Sequence, residues 1–200
     1  MKRSKMPILI ALAIPVALAS FWLVSTSRAA TETADYKVIR RDGAVEIRDY
    51  PALTVATAPM GDGDMDRGFG KLFRFITGSN EQSKKIAMTT PVLIESASEK
   101  KTMSFIMPKE AVANGVPKPT GENVSLGKVE AARFAVLRFS GGRTAKNEAK
   151  ATEKLKAWLD GNKIAGHGAI MFAYYDPPWT PFFMRRNEVM IRVDHQAGDR

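Results

Sequence analysis

Residues 177–187, PPWTPFFMRRN, concentrate aromatic and basic side chains between two predicted strands. The rings of Trp179, Phe182 and Phe183 offer flat apolar faces, and Arg185 and the arginine after it offer guanidinium groups that pair with carboxylates. Three prolines stiffen the segment. These residue types suit a flat apolar ligand that carries acidic groups. The alternative is that the rings only close one end of the fold and the arginines cap it.

The spacing of apolar residues predicts a helix over residues 65–77. At about 100° per residue, four apolar residues fall within about 60° of the first of them and form the face expected to pack on a sheet. They are Phe69, Leu72, Phe73 and Ile76. Phe75 at about 240° and Lys71 at about 200° fall off this face. The pattern therefore predicts an exposed aromatic ring beside a cation.

The composition excludes several kinds of catalytic and metal site. The chain has no cysteine, so it contains no disulfide, thiolate nucleophile, zinc finger or iron–sulfur site. The patterns HExxH, GxSxG and GxxxxGK[ST] are also absent. One polar set near the C-terminus lacks a nucleophile or a paired carboxylate: Tyr174, Tyr175, Asp176 and Glu188. We therefore predict no catalytic residue.

The positive charge of the chain is not concentrated in a way that suits nucleic acid. The 200 residues carry 30 Lys and Arg against 21 Asp and Glu, a formal net charge of +9. Four of the basic residues and none of the acidic ones lie within residues 1–29, which leaves +5 for the remainder. That excess is spread along the chain without a basic stripe, so we predict no nucleic-acid partner.

The first 29 residues are typical of an export signal. Residues 1–5 are basic, and residues 6–24 form an apolar run of 19 residues. This run is long for the core of a signal peptide and just long enough to span a bilayer. We expect either a signal peptide cleaved after Ala29 or a retained N-terminal membrane anchor, followed by a linker over residues 30–35. Both place the domain outside the cytoplasm, in the periplasm, and the second attaches it to the inner membrane.

Beyond the linker, the predicted elements occur twice in the same order. Residues 36–108 and residues 124–194 each show strand, helix, strand and strand, and corresponding strands are offset by 84 to 86 residues. The repetition predicts an internal duplication in which neither half covers its sheet alone. We therefore expect one α+β domain over residues 36–195, with a tail over residues 196–200.

Three segments, KKIAMTTPV, MSFIMP and FAYYDPPWTPFFMRRNEVMI, resemble the SOUL heme-binding protein family, and the resemblance extends over roughly residues 36–193. It implies tandem βαββ repeats that form a distorted eight-stranded antiparallel barrel flanked by two helices. It also implies that a tetrapyrrole, chiefly heme, binds in a shallow apolar cleft between residues 65–77 and 177–186. Together with the residue patterns, this predicts the binding residues Lys71, Leu72, Phe75, Trp179, Phe182, Phe183 and Arg185.

The resemblance implies non-covalent binding of heme or an iron-free porphyrin without a fixed axial histidine. His167 lies between two glycines and His195 follows the last predicted strand, so we expect both in solvated loops and predict no metal ligand. We expect an exported bacterial family member that serves as a carrier, buffer or scavenger and is not an enzyme. Two alternatives stay open. One is a hydrolase-like enzyme acting on a hydrophobic small molecule in the same cleft, and the other is a structural envelope protein.

Overall fold

The computed structural model describes residues 31–61, 65–97, 100–121 and 123–195. The predicted export segment, residue 30 of the linker and the predicted tail lie outside the described residues. Within the described ranges, no helix combines the length and apolar character needed to cross a membrane. The export signal, the anchor, the cellular location and the domain boundaries therefore stay predictions.

The described residues form eleven strands and three α-helices. The strands are β1 (Glu32–Thr33), β2 (Lys37–Asp42), β3 (Val45–Tyr50), β4 (Leu53–Pro59), β5 (Thr89–Thr90), β6 (Val92–Ala97), β7 (Lys100–Ile106), β8 (Ser125–Val129), β9 (Ala132–Phe139), β10 (Gly166–Tyr174) and β11 (Asn187–Val193). The helices are α1 (Met65–Ile76), α2 (Lys109–Ala113) and α3 (Ala145–Gly161), and a 3₁₀ turn (Phe182–Met184) precedes β11.

Nine strands form one antiparallel sheet in the order β2-β3-β9-β11-β10-β6-β7-β4-β8, and β1 pairs with β5 in a separate parallel pair. The order strand, strand, helix, strand, strand occurs as β3-β4-α1-β6-β7 and again as β8-β9-α3-β10-β11. The two sets meet where β6 pairs with β10. Each set also gives its first strand to the other, because β3 pairs with β9 and β8 pairs with β4. The two halves are therefore intertwined.

The predicted fold class is confirmed: the structure is α+β, with a distorted barrel-like antiparallel sheet flanked by helices. The sheet has nine strands rather than eight and stays open, with β2 and β8 at its edges. Gly43, at φ +56°, makes the tight turn that folds β2 back onto β3 and adds the ninth strand.

Both faces of the sheet carry a core, because side chains alternate along each strand. Helices α1 and α3 cover one face, where Phe172 of β10 and Val189 of β11 are buried. Met171 and Met190, one residue away on the same two strands, pack into a second core on the opposite face. Successive residues of these strands therefore pack alternately into the core beneath the helices and into the core on the opposite face.

The face of α1 that packs on the sheet differs from the predicted one. The buried residues of α1 are Gly68, Leu72, Phe75 and Ile76. Phe69 and Phe73 are exposed, by 39% and 47%. The prediction that Phe75 lies off the packed face is therefore wrong. The side chains of Leu72 and Phe75 are buried in the core, at 0% and 1% exposed.

The physical reason for this orientation is the close approach of α1 to the sheet at Gly68. A Cβ atom at this position would lie 3.1 Å from Cγ of Met60 and 3.6 Å from Cβ of Met103. Because a residue without a side chain allows the helix backbone this close, the packed face is centred near Gly68. At about 100° per residue, the centre of the observed packed face lies about 70° around α1 from the centre of the predicted face.

We predict that Gly166→Ala lowers the free energy of unfolding by about 1–3 kcal/mol, because the added carbon overlaps a packed core. A Cβ atom at Gly166 would lie 2.7 Å from Cγ2 of Ile191 and 3.1 Å from Cδ1 of Leu159. Gly127→Ala in β8 is the matched control, since no heavy atom of the described residues lies within 4 Å of its Cβ position. Urea unfolding measures both variants, and equal stability would contradict the contact.

Candidate functional site

The loop between β10 and β11 exposes three large aromatic side chains. We call residues 177–186 the aromatic loop. Trp179 is 80% exposed, Phe182 64% and Phe183 67%. The rings of Phe182 and Phe183 are 5.6 Å apart and nearly perpendicular, at 88°. Grouped apolar rings on a protein surface mark binding sites, and the structure thus brings these three predicted residues together.

Hydrogen bonds at both ends hold the aromatic loop in place. The carboxylate of Asp176 accepts a hydrogen bond from the backbone N–H of Arg186. The backbone N–H of Gly141 donates to the carbonyl of Phe182 at 2.9 Å, and the side-chain amide of Asn187 donates to the carbonyl of Gly141 at 3.0 Å. The exposed rings therefore project from a fixed backbone.

Arg185 has a structural part in the same loop. Its Nε donates to the carbonyl of Thr180 at 2.8 Å, and its Nη2 donates to the carbonyl of Pro178. The guanidinium group is thus engaged with the loop backbone rather than directed wholly at a ligand. Its predicted contact with ligand carboxylates stays a prediction.

A second cation lies beneath the loop and was not predicted. The guanidinium carbon of Arg143 lies 4.6 Å from the centre of the Tyr174 ring, and its Nη2 donates to the carbonyl of Asp176. Its Nε is buried and has no hydrogen-bond partner among the described residues. Burial lowers the pKa of Arg143 from its ordinary value. Arg143 therefore places a positive charge against Tyr174 and Asp176, just before the aromatic loop begins.

Phe69 and Phe73 form a second exposed aromatic surface, which we call the aromatic ridge. Their rings are stacked, with centroids 5.8 Å apart and planes inclined by 16°. The Phe69 ring also contacts Phe105 of β7 edge-on at 5.3 Å. One side of the ridge is thereby fixed to the sheet while the other side faces solvent.

The sheet register places the ridge and the aromatic loop at the same end of the helix-covered face. Phe105 pairs with Val92 of β6, and Val92 pairs with Tyr174 of β10. Directly paired residues point to the same face, and neighbouring strands lie about 4.8 Å apart. Tyr174 is therefore about 10 Å across the sheet from Phe105, and the aromatic loop begins three residues later.

Lys71 belongs to a different surface from the ridge. Its Nζ donates to the carbonyl of Pro59 at 3.2 Å. Together with Arg67 and Arg74 it lines an open concavity of about 350 Å³ on the outer side of α1. It also lines a cavity of about 150 Å³ with Phe75. Lys71 and Phe75 therefore border the same cavity, but the Phe75 ring is buried rather than exposed as predicted. Lys71 lies about 200° around α1 from Phe69.

A buried ion network lies on the opposite face of the sheet. Glu188 has no exposed surface, and its carboxylate accepts hydrogen bonds from Arg48 at 2.8 and 3.1 Å and from Arg186 at 2.7 and 2.9 Å. The Tyr175 hydroxyl donates to it at 3.0 Å. Arg48 also donates to the hydroxyl of Tyr50 at 3.1 Å. The network joins β3 to β11 and to the end of the aromatic loop.

The network keeps Glu188 ionised and its tyrosines protonated. Burial by itself would raise the pKa of Glu188, but the hydrogen bonds and charge of Arg48, with the charge of Arg186, hold it below the ordinary 4.5. Burial raises the pKa of Tyr50 to about 12. Burial, together with the charge of Glu188, also raises the pKa of Tyr175. At neutral pH this set is therefore a structural ion cluster without a free base.

Sequence reasoning missed this network, although one signal was present. Arg48 is two residues from Tyr50 on β3, and Glu188 is two residues from Met190 on β11, so each charged residue shares a strand face with a core residue. Recognising them as partners requires knowing that β3 and β11 both border β9, which the sheet order shows. Spacing along the chain does not contain that information.

The described residues include no cluster of three or more His, Cys, Asp or Glu side chains that would hold a metal ion. His167 and His195 are exposed, and Nε2 of His167 lies 3.9 Å from a carboxylate oxygen of Asp194. His167 is near the start of β10, seven residues before Tyr174, which is roughly 20 Å along a strand. Since β11 ends beside the start of β10, His195 lies at the same distant end.

Comparison of the sequence with known proteins gives one family and curated relatives. Residues 31–192 match the family model described as SOUL heme-binding protein. The chain is also 29% identical over 163 residues to heme-binding protein 1 of Xenopus laevis, and the match covers 74% of this chain and 84% of that protein.

Solved structures share the architecture. The C-terminal domain of EcmrR has a TM-score of 0.55 and 11% identity, over 80% of this chain and 99% of that one. A hydrolase from Listeria innocua has a TM-score of 0.54 and 8% identity, over 78% of this chain and 94% of that one. At such low identity the likeness shows the fold alone.

We predict that Glu188→Gln lowers the free energy of unfolding at pH 7 by about 3–5 kcal/mol, because two arginines lose their buried counter-charge. The folded-state pKa of Glu188 lies below its ordinary 4.5, so its contribution is present above that value and is lost as the pH falls through the folded pKa. Urea unfolding measures the difference in unfolding free energy between the unaltered protein and the variant. This difference is expected to be smaller at about pH 3 than at pH 7.

The exposed Glu153 of α3 supplies the control. Glu153→Gln is expected to change stability by less than about 0.5 kcal/mol. An equally small effect of Glu188→Gln would contradict the structural part assigned to the network.

Proposed function

The chain belongs to the SOUL heme-binding protein family, and from that premise we propose that it binds heme or a related porphyrin non-covalently, between the aromatic loop and the aromatic ridge. The observation that carries the proposal is the group of exposed rings on a backbone fixed by hydrogen bonds, with Trp179 80% exposed. Exposed rings of this kind favour a flat apolar partner, because contact removes apolar surface of both from water.

The residues present fit the macrocycle and the acidic groups of heme. Trp179 and Phe182 on the loop and Phe73 on the ridge offer apolar faces, while Arg143 supplies a positive charge beneath the loop for a carboxylate. Heme, when bound, supplies a redox-active iron. The two histidines are at the far end of β10 and β11, so this proposal assigns the binding to the macrocycle and its carboxylates.

We propose further that the protein acts outside the cytoplasm as a carrier, buffer or scavenger of its ligand. The support is the basic and apolar character of residues 1–29. Fractionation of the source cells is expected to recover the chain with periplasmic or inner-membrane proteins. Recovery with the cytosolic proteins would contradict the exported role while leaving the binding proposal in place.

A catalytic part for the residues beside the site finds little support. The hydroxyl of Tyr174 donates to a carboxylate oxygen of Glu148 at 2.6 Å. Burial, the hydrogen bond to Glu148 and the charge of Glu148 raise the pKa of Tyr174, so the phenol stays protonated. We therefore propose a binding protein rather than an enzyme.

Titration of the full chain with hemin and with iron-free protoporphyrin tests the proposed function. We expect saturable one-to-one binding of both, with dissociation constants within about tenfold of each other, because the macrocycle provides most of the contact. Absorbance and tryptophan quenching measure the binding. Binding of neither ligand would overturn the proposal, and hemin binding more than about a hundredfold tighter would assign the site to iron ligation.

Two variants locate the site within the same titration. Trp179→Ala and Phe73→Ala are each expected to weaken protoporphyrin binding about tenfold, since each removes an apolar contact, and to leave urea unfolding nearly unchanged. Phe75→Ala is the matched core variant, and it is expected to lower the free energy of unfolding by about 3–5 kcal/mol. Unchanged affinity in both surface variants would place the site elsewhere.

A further inference from the structure

A second concavity lies on the face of the sheet that the helices do not cover. Its volume is about 320 Å³, within the range of small-molecule sites. The turn between β2 and β3 forms its rim, and the charged residues of its walls come from β2, β3, β9, β11 and the end of the aromatic loop. These charged residues are Arg41, Glu46, Arg48, Arg138, Arg186 and Glu188.

The alternation of side chains places this concavity away from the proposed porphyrin site. Glu46 and Arg48 alternate along β3 with Val45 and Ile47, which pack in the core beneath the helices. Glu188 likewise precedes Val189, which packs in that same core. The charged side chains therefore point to the opposite face, as does the second core.

The charges that line the concavity do not cancel. Four arginines face two glutamates, which leaves an excess of two positive charges in a recess of the surface. Both carboxylates are already engaged by arginines: Glu46 pairs with Arg41 at 2.8 Å and with Arg48 at 2.6 Å, and Glu188 pairs with Arg48 and Arg186. An anion entering the recess would meet the excess charge rather than a free carboxylate.

Several arginine donors remain unused within the described part of the chain. Arg138 pairs directly across the sheet with Glu188 through its backbone, yet its guanidinium makes no ion pair with a described residue. Arg186 uses Nε and Nη2 for Glu188 and Tyr36, so its Nη1 is left over. Arg41 uses Nε for Glu46, which leaves both Nη groups. These donors surround one recess.

Two of the arginines, Arg48 and Arg186, are also held in place before any ligand arrives. The guanidinium of Arg48 lies over the Tyr36 ring at 4.3 Å, and that of Arg186 lies over the Tyr175 ring at 3.8 Å. Stacking and buried ion pairs fix their orientation, so little side-chain freedom is lost when an anion binds. Planar guanidinium groups with free parallel donors suit two-oxygen contacts to phosphate and carboxylate.

We propose that this concavity binds a small dianionic oxyanion, such as a phosphate monoester or a dicarboxylate, independently of the porphyrin site. Two negative charges match the excess of two positive charges, and the oxygens meet the unused donors of Arg41, Arg138 and Arg186. The proposal goes beyond the proposed function, since it concerns other residues on the opposite face of the sheet.

Calorimetric titration of the full chain at low ionic strength tests the proposal. The probes are inorganic phosphate, phenyl phosphate and malonate, with tetramethylammonium as the cationic control. We expect saturable binding of the anions, weakened by added salt, and no binding of the cation. Preference for phenyl phosphate over malonate would assign the site to phosphate esters, and the reverse would assign it to dicarboxylates. Absence of saturable anion binding would overturn the proposal.

Arg138→Gln is expected to weaken binding of the preferred anion about tenfold, because it removes one charged donor. Arg138 is exposed, so the variant keeps the buried network, and Arg138→Glu, which reverses the charge, is expected to abolish binding. Lys150→Gln on the exposed side of α3 is the control for general surface charge. Equal effects of Arg138→Gln and Lys150→Gln would overturn the assignment to this recess.

Saturating protoporphyrin separates this proposal from the porphyrin site. The affinity for the anion is expected to stay within about twofold when protoporphyrin is added, because the two sites lie on opposite faces. Competition between the two ligands would show that the anions occupy the porphyrin site and would overturn the proposal. Failure of porphyrin binding alone leaves the anion titration unaffected.

Discussion

Glu188 accepts hydrogen bonds from Arg48, Arg186 and Tyr175 at a position without solvent access. A buried carboxylate is tolerated only when its charge and its hydrogen-bonding capacity are both met, and removal of one partner leaves an uncompensated ion. The partners come from β3, the end of the aromatic loop and the end of β10. Their convergence requires the register of β3, β9 and β11 and the return path of the loop to be correct together. The exposed rings on one side and the arginine recess on the other both depend on that registration.

The aromatic loop shows how the same strands serve two surfaces. Residue by residue, β10 and β11 alternate between the helix-side core and the second core. Where these strands end, the backbone N–H and C=O groups of the connecting loop need hydrogen-bond partners. The side chains of Asp176 and Arg185 bond to backbone groups of the loop, and that of Asn187 bonds to the neighbouring backbone at Gly141. With its polar groups satisfied internally, the loop keeps large rings in water without collapsing onto the sheet.

Strand periodicity and the spacing of the repeats predicted the order of strands and helices and the internal duplication, because both reflect how often a residue must face a core. The barrel-like sheet was predicted from the resemblance to the SOUL family. Trp179, Phe182 and Phe183 were predicted to offer apolar faces because they lie beside arginines in a segment stiffened by three prolines, and the structure exposes all three rings. The packed face of α1 was not predictable from apolar spacing alone. Its apolar residues span about 160°, more than one packing face needs. Gly68 decides which part of that arc meets the sheet, through contacts with Met60 and Met103 that belong to other elements. The partnership of Arg48 with Glu188 depends in the same way on strand order.

The exchange of first strands between the two halves has an evolutionary consequence. Because β3 completes the half that contains α3, and β8 completes the half that contains α1, a single repeat lacks its own edge strand. Two identical copies related by a twofold axis would supply that strand to each other and reproduce the sheet. An ancestor with one repeat is therefore most simply a strand-swapped homodimer. Gene fusion would then have joined its subunits, freeing each copy to specialise, one with the aromatic ridge and the other with the aromatic loop.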